Sequence, residues 1–161
     1  MATDPGKYHK FEFNGEFDAS GNVNSLLEEN EEVARTMSLA HRDFCYVNLF
    51  SGSNLTTAPE LPSTELTYGC YGFMFSGCSS LTSAPELPAT ELASSCYYSM
   101  FSGCSNLKYV KVGFTDWNPT DATGQWLPEN YGKFECSYDL IANTPERSIN
   151  TVPLSWNMVA V

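Results

Sequence analysis

Apolar residues recur in pairs through the middle of this chain. Leu92, Ala93, Cys96, Tyr97, Met100, Phe101 and Cys104 fall at i, i+1, i+4, i+5, i+8, i+9 and i+12, a spacing that predicts a broad stripe along one side of a helix. Leu66, Cys70, Tyr71, Met74, Phe75 and Cys78 repeat it one copy earlier. Thr64 and Thr90 stand where N-caps are expected, and Gly77 and Gly103 where a helix closes in a left-handed turn. Residues 81–84 then read as a strand too short to stand alone. Pro59 and Pro85 cannot donate to a ladder, so pairing should end near them.

These elements belong to a repeated unit. Phe50-Ser51-Gly52, Phe75-Ser76-Gly77 and Phe101-Ser102-Gly103 share one tripeptide, each preceded five residues earlier by Cys-Tyr. Ala58-Pro59-Glu60-Leu61-Pro62 returns 26 positions later as Ala84-Pro85-Glu86-Leu87-Pro88, and Leu55, Leu81 and Leu107 keep the same interval. A fixed period of this length implies supersecondary units that bury their apolar faces against one another. Residues 107–112, Leu-Lys-Tyr-Val-Lys-Val, fit the L-x-x-L-x-L pattern of a leucine-rich repeat. The expected fold class is therefore α/β, a short leucine-rich-repeat-like solenoid with helix plus short strand in each repeat of about 26 residues. Helices need about 8–10 Å against about 4.8 Å for strands, so the strand side should curve inward as a concave face.

The ends differ from the repeats and read as β caps. Residues 7–13 alternate partially before an Asn14-Gly15 hairpin turn, and residues 22–27 read as a first strand. Residues 28–42 carry Val33, Met37 and Ala40 at helical spacing. At the other end, Trp117, Trp126, Phe134 and Trp156 concentrate aromatic area, and residues 133–138 and 155–161 read as strands. The expected organisation is a single domain over 1–161, with an N-terminal β cap at 1–43, repeats at 44–112 and an aromatic-rich C-terminal cap at 113–161.

Charge narrows the partners. Acidic residues outnumber basic ones 19 to 8, a net charge of −11, which opposes binding to nucleic acid or to an anionic membrane surface. No segment is apolar enough to span a bilayer, so no membrane insertion is expected. Residues 1–6 have neither a basic nor an apolar region and do not read as a signal peptide.

The unit from Leu81 to Cys104, Leu-Thr-Ser-Ala-Pro-Glu-Leu-Pro-Ala-Thr-Glu-Leu-Ala-Ser-Ser-Cys-Tyr-Tyr-Ser-Met-Phe-Ser-Gly-Cys, resembles the repeat of the BspA-like leucine-rich-repeat proteins of gut and oral anaerobes. The segment from Gly15 to Leu27 and the exit ending in Trp156-Asn-Met-Val resemble that family's flanking caps, so the likeness covers roughly residues 7–161. It implies an extracellular or cell-surface location and a non-catalytic adhesion module whose partner is a host protein or glycan. It carries no catalytic residue. A structural or decoration protein of a virus infecting such bacteria is the alternative, with the virion as its location, and would need no leader before Met1. An enzyme is the third class. Genomic neighbourhood and the true start codon separate the first two.

Thr57, Ser83 and Tyr109 occupy equivalent strand positions and should form an outward column. With Lys111 they are the candidate ligand contacts; a merely solvated face is the plain alternative. The six cysteines follow the repeat, with Cys45, Cys70 and Cys96 in one column, Cys78 and Cys104 in a second, and Cys136 alone. Disulfides, a metal ladder and buried filler are all open, and filler is favoured because disulfides need Cα separations of about 4.4–6.8 Å. His41 and Cys45 could share a helix face, but a third orienting group is missing. Asp116 and Asp121 flank a turn-rich stretch able to hold a cation weakly, or simply shape the turn. No cofactor, catalytic residue or metal site is assigned, and the oligomeric state is left open.

Overall fold

A computed structural model describes residues 14–161. Its elements are β1 (Phe17–Asp18), a 3-10 helix (Val23–Leu26), α1 (Glu31–Thr36), β2 (Leu55–Thr57), β3 (Tyr109–Lys111), β4 (Lys133–Cys136), α2 (Tyr138–Ala142) and β5 (Asn157–Ala160). β1 pairs with β2 in parallel, and β3, β4 and β5 form a second parallel sheet in that order. The expected strand at residues 7–13 lies outside the described residues.

The leucine-rich-repeat-like solenoid of helix plus strand is not what this chain forms. The described residues hold two short helices, both outside the repeats, and small parallel sheets without a closed or solenoid shape. Residues 68–77 and 94–103 are successive turns, and Thr64 and Thr90 lie in bends instead of capping helices. The concave strand face depended on helices being thicker than strands, and it lapses with them.

The physical reason lies in the period. The apolar pairs Cys70–Tyr71 and Met74–Phe75, followed by Cys78, repeat every four residues, whereas a helix repeats every 3.6 and carries such a stripe about 40° round per step. One left-handed residue in each four corrects that drift. Positive φ occurs at Phe44, Asn48 and Gly52, at Gly69, Phe73 and Gly77, and at Ser95, Ser99 and Gly103. Each such residue reverses the winding, so the chain runs forward as linked turns and the apolar pairs stay on one side. At Gly77 (φ 76) an added Cβ would lie 3.4 Å from the Cα of Gly52 as well as demanding a left-handed L-residue.

Backbone bonds alternate accordingly. In the first copy the odd-numbered N–H groups close turns, as Val47 N–H to Phe44 O at 3.2 Å and Leu49 N–H to Tyr46 O at 3.3 Å. Even ones reach the next copy: Tyr46 to Cys70 O, Asn48 to Gly72 O, Phe50 to Met74 O and Gly52 to Ser76 O. The scheme recurs from Tyr71, Phe73, Phe75 and Gly77 to Cys96, Tyr98, Met100 and Ser102, and again from Tyr97, Ser99 and Phe101 to Ala122, Gly124 and Trp126. Neighbouring copies thus satisfy each other's buried amides.

Between those ribbons and the strands lies the core. Phe50, Phe75 and Phe101 stack with centroids 5.7 and 5.6 Å apart, and Tyr46, Tyr71, Tyr97 and Trp126 form a second stack at 5.6, 6.1 and 6.2 Å. Leu55, Leu81 and Leu107 are fully buried beside them. Trp117, Trp126, Phe114 and Phe134 continue the core at the C-terminal end.

Smaller departures follow from local chemistry. Residues 22–27 fold as a 3-10 turn because the Asn22 side chain accepts from Asn24 N–H at 2.9 Å and caps it. Asn30 caps α1 by accepting from Glu32 and Val33 N–H groups. Ser137 ends β4 and caps α2, accepting from Leu140 N–H at 3.1 Å, so the strand expected to reach residue 138 stops at Cys136.

Candidate functional site

β3 places its residues by strand alternation. Val110 is buried between Tyr109 and Lys111, which are half-buried and point to the opposite face. β4 does the same, with Phe134 and Cys136 inward and Lys133 and Glu135 outward. Register therefore lines up Ser83, Tyr109, Lys133 and Asn157 in one row across the sheet, and Lys111 beside Glu135 in the next.

The rows are tied together. Tyr109 Oη donates to Glu135 Oε2 at 2.5 Å, and Lys133 Nζ pairs with Glu135 Oε1. Lys111 Nζ pairs with Glu86 Oε1 at 2.8 Å, reaching the preceding copy. Lys133 first and then Tyr109 hold the Glu135 carboxyl below its ordinary range. The Glu135 carboxylate in turn pushes the Tyr109 phenol up to about 12. Lys108 Nζ sits 4.0 Å from the centre of the Tyr131 ring at the edge of this face.

Of the expected contact residues, Ser83, Tyr109 and Lys111 are brought together. Thr57 is exposed but belongs to β2, opposite Asp18 of β1, and among the described residues no ladder joins it to Ser83. Glu86, Lys133, Glu135 and Asn157 were missed. The interval of 24 from Tyr109 to Lys133 and again to Asn157 was the available signal, hidden because no repeated tripeptide marks those strands.

All six cysteines are thiols outside any disulfide. Cys78 Sγ donates to Phe50 O at 3.1 Å and Cys104 Sγ to Phe75 O at 3.0 Å, so that column joins copies through thiol donors. Cys45 lies 4.0 Å from Cys70 O, and burial pushes its thiol up to about 12, the reverse of what a nucleophile needs. His41 is exposed on a left-handed turn, not on a shared helix face. Asp121 accepts from Ser94 Oγ at 2.5 Å and Ser95 Oγ at 2.9 Å, and Asp116 accepts from Asn118 N–H at 2.9 Å.

No family model, curated protein or solved structure matches this chain. No helix among the described residues is long and apolar enough to cross a membrane.

Proposed function

We propose that the chain is a non-catalytic binding module, displayed outside a bacterial cell, whose outward strand face contacts a host extracellular protein or glycan. The observation that carries the reading is the row Ser83, Tyr109, Lys133 and Asn157, flanked by Lys111 and Glu135. Its long side chains are already held by Glu135 and Glu86, so binding would cost little further side-chain entropy. Tyr109 offers an amphipathic ring with a polar tip, a residue type enriched where partners dock. The repeat's resemblance to the BspA-like proteins supports the cell-surface setting.

Screening the full chain against immobilised extracellular-matrix proteins and glycans tests this reading. Binding that Tyr109→Ala and Lys111→Ala weaken supports it. Turnover of a substrate abolished by Cys45→Ala or His41→Ala would replace it with an enzyme.

A further inference from the structure

A second surface lies on the turn side of the copies, where Phe44, Tyr68, Phe73 and Tyr98 enclose a groove of about 200 Å³ that includes Gly69 and Gly72. Tyr68 is 46% and Phe73 38% exposed, large values for aromatic rings in a chain that buries most of its others. The rings are ordered in pairs: Phe44 meets Tyr68 edge-on at 4.9 Å, and Phe73 meets Tyr98 at 5.5 Å.

Two of these rings sit where the backbone least favours them. Phe44 (φ 56) shares its repeat position with Gly69 and Ser95, and Phe73 (φ 55) shares its own with Asn48, Ser99 and Gln125. A bulky residue at positive φ is a backbone outlier, and such strain gathers at functional sites. Both outliers wall the same groove. The Phe44 ring lies so close over Gly69 that a Cβ there would fall 2.6 Å from it.

Polar groups flank the rings. Ser95, in the groove lining, and Ser94 donate to Asp121. Thr67, next to Tyr68, donates to Asp43, next to Phe44. An ionised carboxylate has about four acceptor sites, so both aspartates keep capacity beyond these bonds.

We propose that this groove binds a neutral sugar, a pyranose unit of an uncharged oligosaccharide. Its C–H face would lie on Tyr68, Phe73 and Tyr98, and its hydroxyls would donate to Asp43 and Asp121. A lipid chain or an apolar helix would strip water from two carboxylates without replacing it. An anionic sugar would meet those carboxylates, no basic group in the lining and a net charge of −11. Few, directional polar groups around an aromatic floor match a small-ligand site. The groove shares no residue with the strand face, so either reading can fail alone.

Calorimetric titration of the full chain with cellopentaose, laminaripentaose and maltopentaose tests the site. At least one should bind, and Phe73→Gly should weaken it at least about tenfold. In that variant relief of the positive φ offsets part of the lost ring contact with Tyr98, and circular dichroism should show it folded. Gly72→Val provides a second variant: a Cβ there meets only ordinary contacts, 3.4 Å from Gly69 O and 3.7 Å from Val47 Cγ2, and the added methyls would fill the groove. Tyr109→Ala should leave sugar binding unchanged. Binding of none of the three sugars, binding that survives both groove variants, or binding lost with Tyr109→Ala would each overturn the proposal.

Discussion

Tyr109 and Glu135 stand diagonally on adjacent parallel strands, and the phenol donates to the carboxylate at 2.5 Å. A diagonal neighbour on a sheet face is within reach of an aromatic side chain. The Glu135 carboxylate raises the cost of ionising that phenol. Glu135→Gln should therefore bring Tyr109 down from about 12 toward the ordinary 10.0. Alkaline absorbance titration, with Tyr109→Phe subtracted, reads the change. An unmoved titration would show that the bond does not govern this tyrosine.

The cysteines give a second expectation. At neutral pH a thiol reagent should label Cys45 at most in the native chain, and all six thiols after denaturation. Rapid native labelling of several would contradict the buried-filler role.

Burial also sets a pH dependence. Cys45, Cys96 and Cys104 rise from 9.0 to about 12, and Cys136 to about 11. Folded thiols that hold their protons more tightly contribute stability fully present below about pH 9. That stability is lost as pH climbs toward 12, because only the unfolded chain ionises first. Thermal midpoints should fall steadily from pH 9 upward. A flat or rising profile would contradict the assignment.

Much of this architecture is legible in the sequence, but the winding of the repeats is not. The repeated tripeptides located the copies, and the buried columns of Cys, Tyr, Met and Phe fall where the periodicity placed them. The strands at Lys133–Cys136 and Asn157–Ala160 form within the expected segments. The helices do not, because pairs at i, i+4 and i+8 fit both a 3.6-residue helix and a four-residue ribbon over a short span. The glycines that looked like helix ends were the third left-handed position of a ribbon whose first two are filled by Gly69 and otherwise by Phe44, Asn48, Phe73, Ser95 and Ser99. Such residues do not announce positive φ. On the strand face, Tyr109 and Lys111 were readable from alternation, whereas Glu135 and Glu86 enter through parallel register between segments with no shared motif.

That ribbon predicts opposite effects for two substitutions. Gly77→Ala places a Cβ at φ 76 and should cost about 1–2 kcal/mol. Gln125→Gly, at φ 53 on an exposed turn, should stabilise by about 0.5 kcal/mol after the unfolded-state entropy of glycine is counted. Denaturant unfolding measures both. A harmless Gly77→Ala would remove the case for left-handed winding there.

Stacked rings carry the core, and Phe75 is the middle member of its stack, fully buried between Phe50 and Phe101. Phe75→Ala should cost about 3–5 kcal/mol. A loss below about 1 kcal/mol would mean that the copies hold together chiefly by their backbone bonds.

The binding role is tested most directly by comparing wild type with Tyr109→Ala on one array of immobilised extracellular proteins and glycans. The account predicts at least one partner whose binding is weakened by Tyr109→Ala at unchanged thermal stability. No partner at all, or every partner bound equally by both forms, would contradict it.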